Sequence, residues 1–223
     1  NMDASSDWTN SKVLGTSISG NSGYRMLSSP VSGQIIGNLL NNLWTQGMTG
    51  ADYSNGSANV WTFNVSGQSW TALSDISGSG TSLAAGQGFL TYVFADNNND
   101  GTDDLPITLS VSGSENSGSA TYPASGSIAA NAWGLAGNPY YSTIDWDDVT
   151  KTNVNSTAYV WDDATDAYKS WNGSSGGLTN GLIAPFQGFW VQANGSGSAS
   201  ITVEAADKSS SASTFYRIAD IEE

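Results

Sequence analysis

The chain of 223 residues contains neither cysteine nor histidine. Without cysteine there are no disulfides and no thiolate metal sites; without histidine the usual proton shuttle and the usual nitrogen ligand of zinc are gone. Nucleophilic machinery of the Ser–His or Cys–His kind is excluded. Basic residues are scarce as well: six Lys and Arg stand against 20 Asp and Glu, a formal charge of −14. So negative a surface disfavours nucleic acid and anionic membrane as partners and is compatible with bound cations. No apolar run is long enough to cross a bilayer, and Asn1 begins no signal peptide. The expectation is a soluble chain, mature or excised from something longer, without membrane insertion.

What is present points to β structure. Charged residues make up 12%, aromatic residues 11%, and Gly, Ser, Thr and Asn are abundant between β-branched and aromatic runs. Ala84-Ala85-Gly86-Gln87-Gly88-Phe89 is echoed by Ile183-Ala184-Pro185-Phe186-Gln187-Gly188-Phe189. Around that anchor Val60-Trp61 answers Val160-Trp161, Ser28-Ser29-Pro30 answers Gly137-Asn138-Pro139, and Ile107-Thr108-Leu109 answers Ile201-Thr202-Val203. Landmarks repeated in one order read as an internal duplication. The expected fold is all-β, two tandem homologous β-sandwich-like units, each with one short helix. Residues 1–20 form a leading strand or linker, 21–122 the first unit, 123–208 the second, and 209–223 a linker or the start of a next module, with Phe215 to Ile218 as a further strand.

Strands are expected at Tyr24–Leu27, Val60–Val65, Ser69–Leu73, Gly88–Phe94 and Ile107–Val111, then at Ala158–Trp161, Tyr168–Trp171, Gly188–Ala193 and Ile201–Glu204. Ile35, Ile36, Leu39, Leu40, Leu43 and Trp44 recur at helical spacing, with Ser32 as N-cap and Gly47 as stop. Ser142 to Val149 takes the same place in the second unit and predicts a short helix or helical turn.

The phrases Gly23-Tyr24-Arg25-Met26-Leu27-Ser28-Ser29-Pro30, Gly137-Asn138-Pro139-Tyr140 with Ile144-Asp145-Trp146, Tyr159-Val160-Trp161-Asp162 and Ala184-Pro185-Phe186-Gln187-Gly188-Phe189 carry a family resemblance. Over roughly residues 23 to 217 the chain resembles the duplicated β region near the C-terminus of large proteins exported by the type IX secretion system of Bacteroidetes-type bacteria. The resemblance implies an extracellular or cell-surface module of a larger secreted protein. It implies no single activity.

Two kinds of residue could carry function. Asp96-Asn97-Asn98-Asn99-Asp100-Gly101-Thr102-Asp103-Asp104 fits the oxygen-rich front half of an EF-hand-like calcium loop. Asp96, Asn98 and Asp100 would offer side-chain oxygens, Thr102 a carbonyl and Asp104 a direct or water-bridged contact, while Ile107 replaces the usual bidentate Glu. The competing reading is a solvated Asn/Asp turn. Asp162-Asp163-Ala164-Thr165-Asp166 reads as an exposed, metal-free hairpin turn, and Asp145, Asp147 and Asp148 as helix-start residues or a site with Asn138. Trp70, Tyr140, Tyr141, Trp171 and Trp190 are candidate stacking platforms for sugar rings, whereas the repeated pairs Trp61/Trp161 and Phe89/Phe189 read as core. No acid pair stands out at glycosidase spacing, so the chain is read as no enzyme. The expected function is a non-catalytic structural or adhesive surface module, stabilised by calcium and assembling with copies of itself or other surface proteins. The alternative is a carbohydrate-binding module for polysaccharide.

Overall fold

The computed structural model describes residues 12–78, 81–211, 213 and 215. The first half holds β1 (Lys12–Ile18), β2 (Gly23–Leu27), β3 (Gln34–Ile35), β4 (Val60–Asn64), β5 (Ser69–Ala72), β6 (Ser82–Leu83), β7 (Phe89–Val93) and β8 (Ile107–Gly113). Then come β9 (Ala120–Tyr122), β10 (Trp133–Gly137), β11 (Ile144–Asp145), β12 (Thr150–Thr152) and β13 (Val154–Asp162). The last are β14 (Ala167–Trp171), β15 (Leu182–Ile183), β16 (Gly188–Ala193) and β17 (Ser200–Val203). The fold is all-β, and no helix among the described residues is long and apolar enough to cross a membrane.

Two four-stranded antiparallel sheets share one strand order, β2-β7-β4-β5 and β10-β16-β13-β14. Each turns one face to its own core. Phe89 and Val93 of β7 lie with Leu27, Val60, Leu109 and Val111 in the first; Phe189 and Val191 of β16 lie with Val160, Trp146 and Ile201 in the second. The β1–β8 pair supplies Leu14, Ile18, Leu109 and Val111 to the first core, while the β12-β17-β9 sheet supplies Ile201, Val203 and Tyr122 to the second. Strand β9 pairs with β17 and places Tyr122 in the second core. The leading segment is a strand, paired along β8 from Lys12 to Ile18; residues 1–11 lie outside the described residues.

The structure details three local expectations. The helix of the first unit is a single turn, α1 (Ile36–Leu39), preceded by Ile35 without any side-chain cap, so Ser32 caps nothing. Ile36, Leu39, Leu40 and Leu43 are buried as their spacing requires, but Gly37, Asn38, Asn41 and Asn42 between them are poor helix formers. In the second unit Ser142 to Val149 forms β11 and then one hydrogen-bonded turn from Asp148 N–H to the Asp145 carbonyl, 3.2 Å, so that of the two expected forms it is the turn and not the helix that is present. Finally, the segment after residue 208 is no free linker. Ser209 N–H donates to the Thr143 carbonyl at 2.9 Å, and Phe215 is buried in the first core; Ile218 lies outside the described residues.

The halves meet reciprocally. Leu27 bridges to Gln187 and Ala136 bridges to Gln87, so each Gln-Gly-Phe segment touches the other half's first sheet strand. The two bridges are of the same kind, each joining a Gln-Gly-Phe segment to the edge strand of the other four-stranded sheet. Gly88 is required there: a Cβ would lie 2.4 Å from the Ala136 carbonyl oxygen.

Candidate functional site

Sheet strands alternate faces, and in this chain both faces are apolar. The positions that skip the cores, Tyr24 and Met26 of β2, Trp61 and Phe63 of β4, Trp133 and Leu135 of β10, Tyr159 and Trp161 of β13, point away from them and toward the opposite sheet. The two sheets close only partly over these side chains. Between them run two open compartments of about 430 and 540 Å³, with Trp70 and Tyr168 lining both.

The compartments mirror one another. Trp61 pairs with Leu90 across β4–β7, and Tyr159 pairs with Trp190 across β13–β16, so Tyr159 rather than Trp161 holds the place of Trp61. By the hairpin registers Phe63 pairs Trp70 and Trp161 pairs Tyr168, making Trp70 and Tyr168 counterparts at the groove's two lips. The first compartment then takes Tyr24, Trp61, Leu90 and Trp161; the second takes Trp133, Tyr159, Trp190 and Phe63. Tyr24, Trp70 and Tyr168 are 43%, 40% and 50% exposed, large fractions for such rings.

Edge-to-face packing fixes the rings. Trp190 meets Phe63 at 4.6 Å, Trp70 at 5.4 Å and Trp133 at 6.2 Å between centroids; Trp161 meets Tyr168 at 5.1 Å and Trp133 meets Tyr159 at 5.4 Å. Such pairs add about 0.5–1.5 kcal/mol each beyond burial, so the platforms are preset. Burial raises the Tyr168 phenol, with a hydrogen bond from the Trp190 side chain opposing it. The indole N–H groups of Trp61, Trp70 and Trp133 meet no acceptor among the described residues and remain available as donors.

Two clamps hold the sheets at this spacing. In the β13–β14 turn Asp163 accepts the Tyr24 N–H at 2.9 Å and pairs with Arg25 at 2.9 Å. In the β4–β5 turn the Gln68 amide accepts the Trp133 N–H at 2.8 Å and donates to its carbonyl at 2.9 Å. A Cβ at Gly23 would sit 2.0 Å from the Asp163 carboxylate and would displace it from this clamp. The acidic turn is exposed at Ala164, Thr165 and Asp166, but its first residue is not: Asp162 is 6% accessible, accepts from Thr165 Oγ1 at 2.9 Å and pairs with Lys169 at 3.4 Å.

Of the five candidate platforms, only Trp70 and Trp190 meet in the groove, Trp190 at its base. Tyr140 is buried, donates to the Gly118 and Val203 carbonyls, and has its phenol pushed up to about 12 by burial and then by Asp207 and Glu204. Tyr141 packs on Phe186 and donates to the Gly15 carbonyl at 2.9 Å. Trp171 lies against the second core with its indole on Asp147 at 2.9 Å. Trp61 and Trp161, expected in the core, line the groove half-buried, while Phe89 and Phe189 are core. The missed residues carried a signal: strands apolar on alternate positions and between them are covered on both faces.

In the Asp96–Asp104 loop the side chains cap backbone. Asp96 accepts from Gly101 N–H at 2.7 Å and Asp100 N–H at 3.2 Å, Asn98 from Asp100 N–H at 2.9 Å, Asp100 from Thr102 N–H at 2.9 Å, and Asp104 from Asn97 N–H at 2.9 Å. The Gly101 N–H above all lowers the Asp96 carboxyl below its usual value. Among the described residues no three His, Cys, Asp or Glu side chains converge as a metal-holding group.

Comparison of the chain with protein-family models, curated proteins and solved structures returns no match.

Proposed function

We propose that the chain is a non-catalytic carbohydrate-binding module that attaches to polysaccharide outside the cell through the aromatic groove between its two sheets. The observation that carries this reading is the pair of mirrored compartments walled by preset Trp and Tyr rings, with Trp70 and Tyr168 standing exposed at the lips. Pyranose rings present flat C–H faces to such platforms and hydroxyls to free indole N–H donors. The formal charge of −14 favours neutral or amine-bearing glycans over anionic ones. No carboxylate lines either compartment, and a glycosidase needs two.

Because the two compartments are lined by similar sets of aromatic rings, a short oligosaccharide should bind with a stoichiometry of two per chain. Affinity electrophoresis through gels containing neutral glucan, xylan or chitin derivatives tests the reading. At least one polymer is expected to retard the chain, and Trp70→Ala and Tyr168→Ala to abolish most of that retardation, roughly tenfold in affinity, while lowering the melting temperature only by the modest cost of the lost ring contacts and leaving the fold intact by far-ultraviolet dichroism. Passage of the parent chain unretarded through every polymer, or retardation indifferent to both variants, would remove the groove as a glycan site.

A further inference from the structure

Away from the groove, a cavity of about 510 Å³ opens where Trp44, Gln46 and Tyr53 face Phe94, Asp96 and Asp103. Its walls are held in place. The Asp52 carboxylate accepts both the N–H and the hydroxyl of Thr45 at 2.9 Å, fixing the loop that carries Trp44 and Tyr53. The buried Asn59 amide ties the Trp44 carbonyl at 3.0 Å to the Tyr92 carbonyl at 2.9 Å, and its oxygen accepts the Gln46 N–H at 2.9 Å. The Trp44 indole donates to Gln46 Oε1 at 3.3 Å, and the Trp44 and Tyr53 rings lie 25° from parallel with centroids 6.5 Å apart.

The charge here is uncompensated. Asp103 makes no hydrogen bond or ion pair with a described residue, and Asp96 is bonded only to backbone N–H groups. The described basic side chains with assigned partners, Arg25, Lys151, Lys169 and Lys208, are all engaged elsewhere. Three aromatic rings beside two unpaired carboxylates suit one class of ligand. Ring faces attract a diffuse organic cation and the carboxylates add to it, whereas a hard metal ion gains nothing from the rings and a neutral ligand nothing from the charge.

We propose that this cavity binds an organic ammonium group, either a quaternary ammonium or the amino group of an amino sugar. The site is independent of the groove. Calorimetric titration of the full chain in the presence of chelator would compare choline with its uncharged tert-butyl isostere, and glucosamine with glucose. At least one cation should bind roughly fivefold tighter than its neutral partner, a difference of about 1 kcal/mol. The winning pair identifies the source. Asp103→Asn and Tyr53→Leu, both at exposed side chains, should each weaken that binding by a similar factor while leaving melting temperature and groove-dependent retardation unchanged. Equal affinity within both pairs, binding indifferent to both variants, or no binding of either cation would overturn the proposal.

Discussion

Asp207 shows how much a single buried charge can set. Its side chain is 6% accessible, and its Oδ2 accepts the Glu204 N–H at 2.8 Å. Burial first, then the charges of Glu204 and Asp148, raise its carboxyl above the model-compound value of 3.8 despite that N–H and the nearby Lys151. A carboxyl with a higher pKa folded than unfolded binds its proton more tightly in the native state, so stability falls as pH rises from 3.8 through the folded value. Asp207→Asn keeps an acceptor and deletes the charge. The variant should match the parent in urea midpoint at pH below 3.8 and exceed it near neutrality; a constant difference between the two would show that Asp207 titrates ordinarily. Residues were also where sequence reading was weakest. Tyr140, Tyr141 and Trp171 look like free platforms in the sequence, yet each polar tip is satisfied inside the fold, and nothing local to those positions announces such partners.

At the scale of elements the strands were legible, because alternation and Gly/Ser turns are local signals. The helix was not. Its apolar spacing survives as burial at Ile36, Leu39, Leu40 and Leu43, but the intervening Gly and Asn leave the chain as one turn and a coil. The repeated Val-Trp phrase matches Trp61 to Trp161, whereas strand pairing puts Tyr159 opposite Trp190 as Trp61 lies opposite Leu90, a shift of two residues between the copies. The Asp96–Asp104 loop is the element that carries the calcium expectation. Its oxygens recur at the alternation calcium uses, and no described basic side chain pairs with them. The calcium expectation requires that calcium raise the melting temperature over chelator, by the equivalent of about 2.7 kcal/mol at one hundred times Kd, and that Asp100→Ala erase the rise. Coincident melting curves would leave the loop a hydrogen-bonded turn.

At the scale of the whole molecule the two four-stranded sheets face one another across the groove and are tied together by a clamp on either side. The two clamps occupy equivalent turns but differ in kind. Gln68 grips Trp133 with a pair of neutral hydrogen bonds near solvent, whereas Asp163 faces an Arg25 side chain that is 1% accessible. Arg25 also donates to the Tyr24 and Asn21 carbonyls, so its position is fixed from its own half and its charge depends on Asp163 from the other. Removing Gln68 loses modest hydrogen bonds, about 1 kcal/mol. Removing Asp163 strands a buried guanidinium, which costs about 3 kcal/mol or more. Denaturant unfolding, followed by tryptophan fluorescence and far-ultraviolet dichroism, should therefore show Asp163→Ala much less stable than Gln68→Ala, with the two probes coinciding in the parent if the halves unfold together. Replacing the buried cation as well, in Arg25→Met with Asp163→Ala, should restore part of the loss, because no unpaired charge remains inside. Equal costs for the two single variants would mean that surface packing of the aromatic faces, and not the ion pair, sets the spacing of the groove.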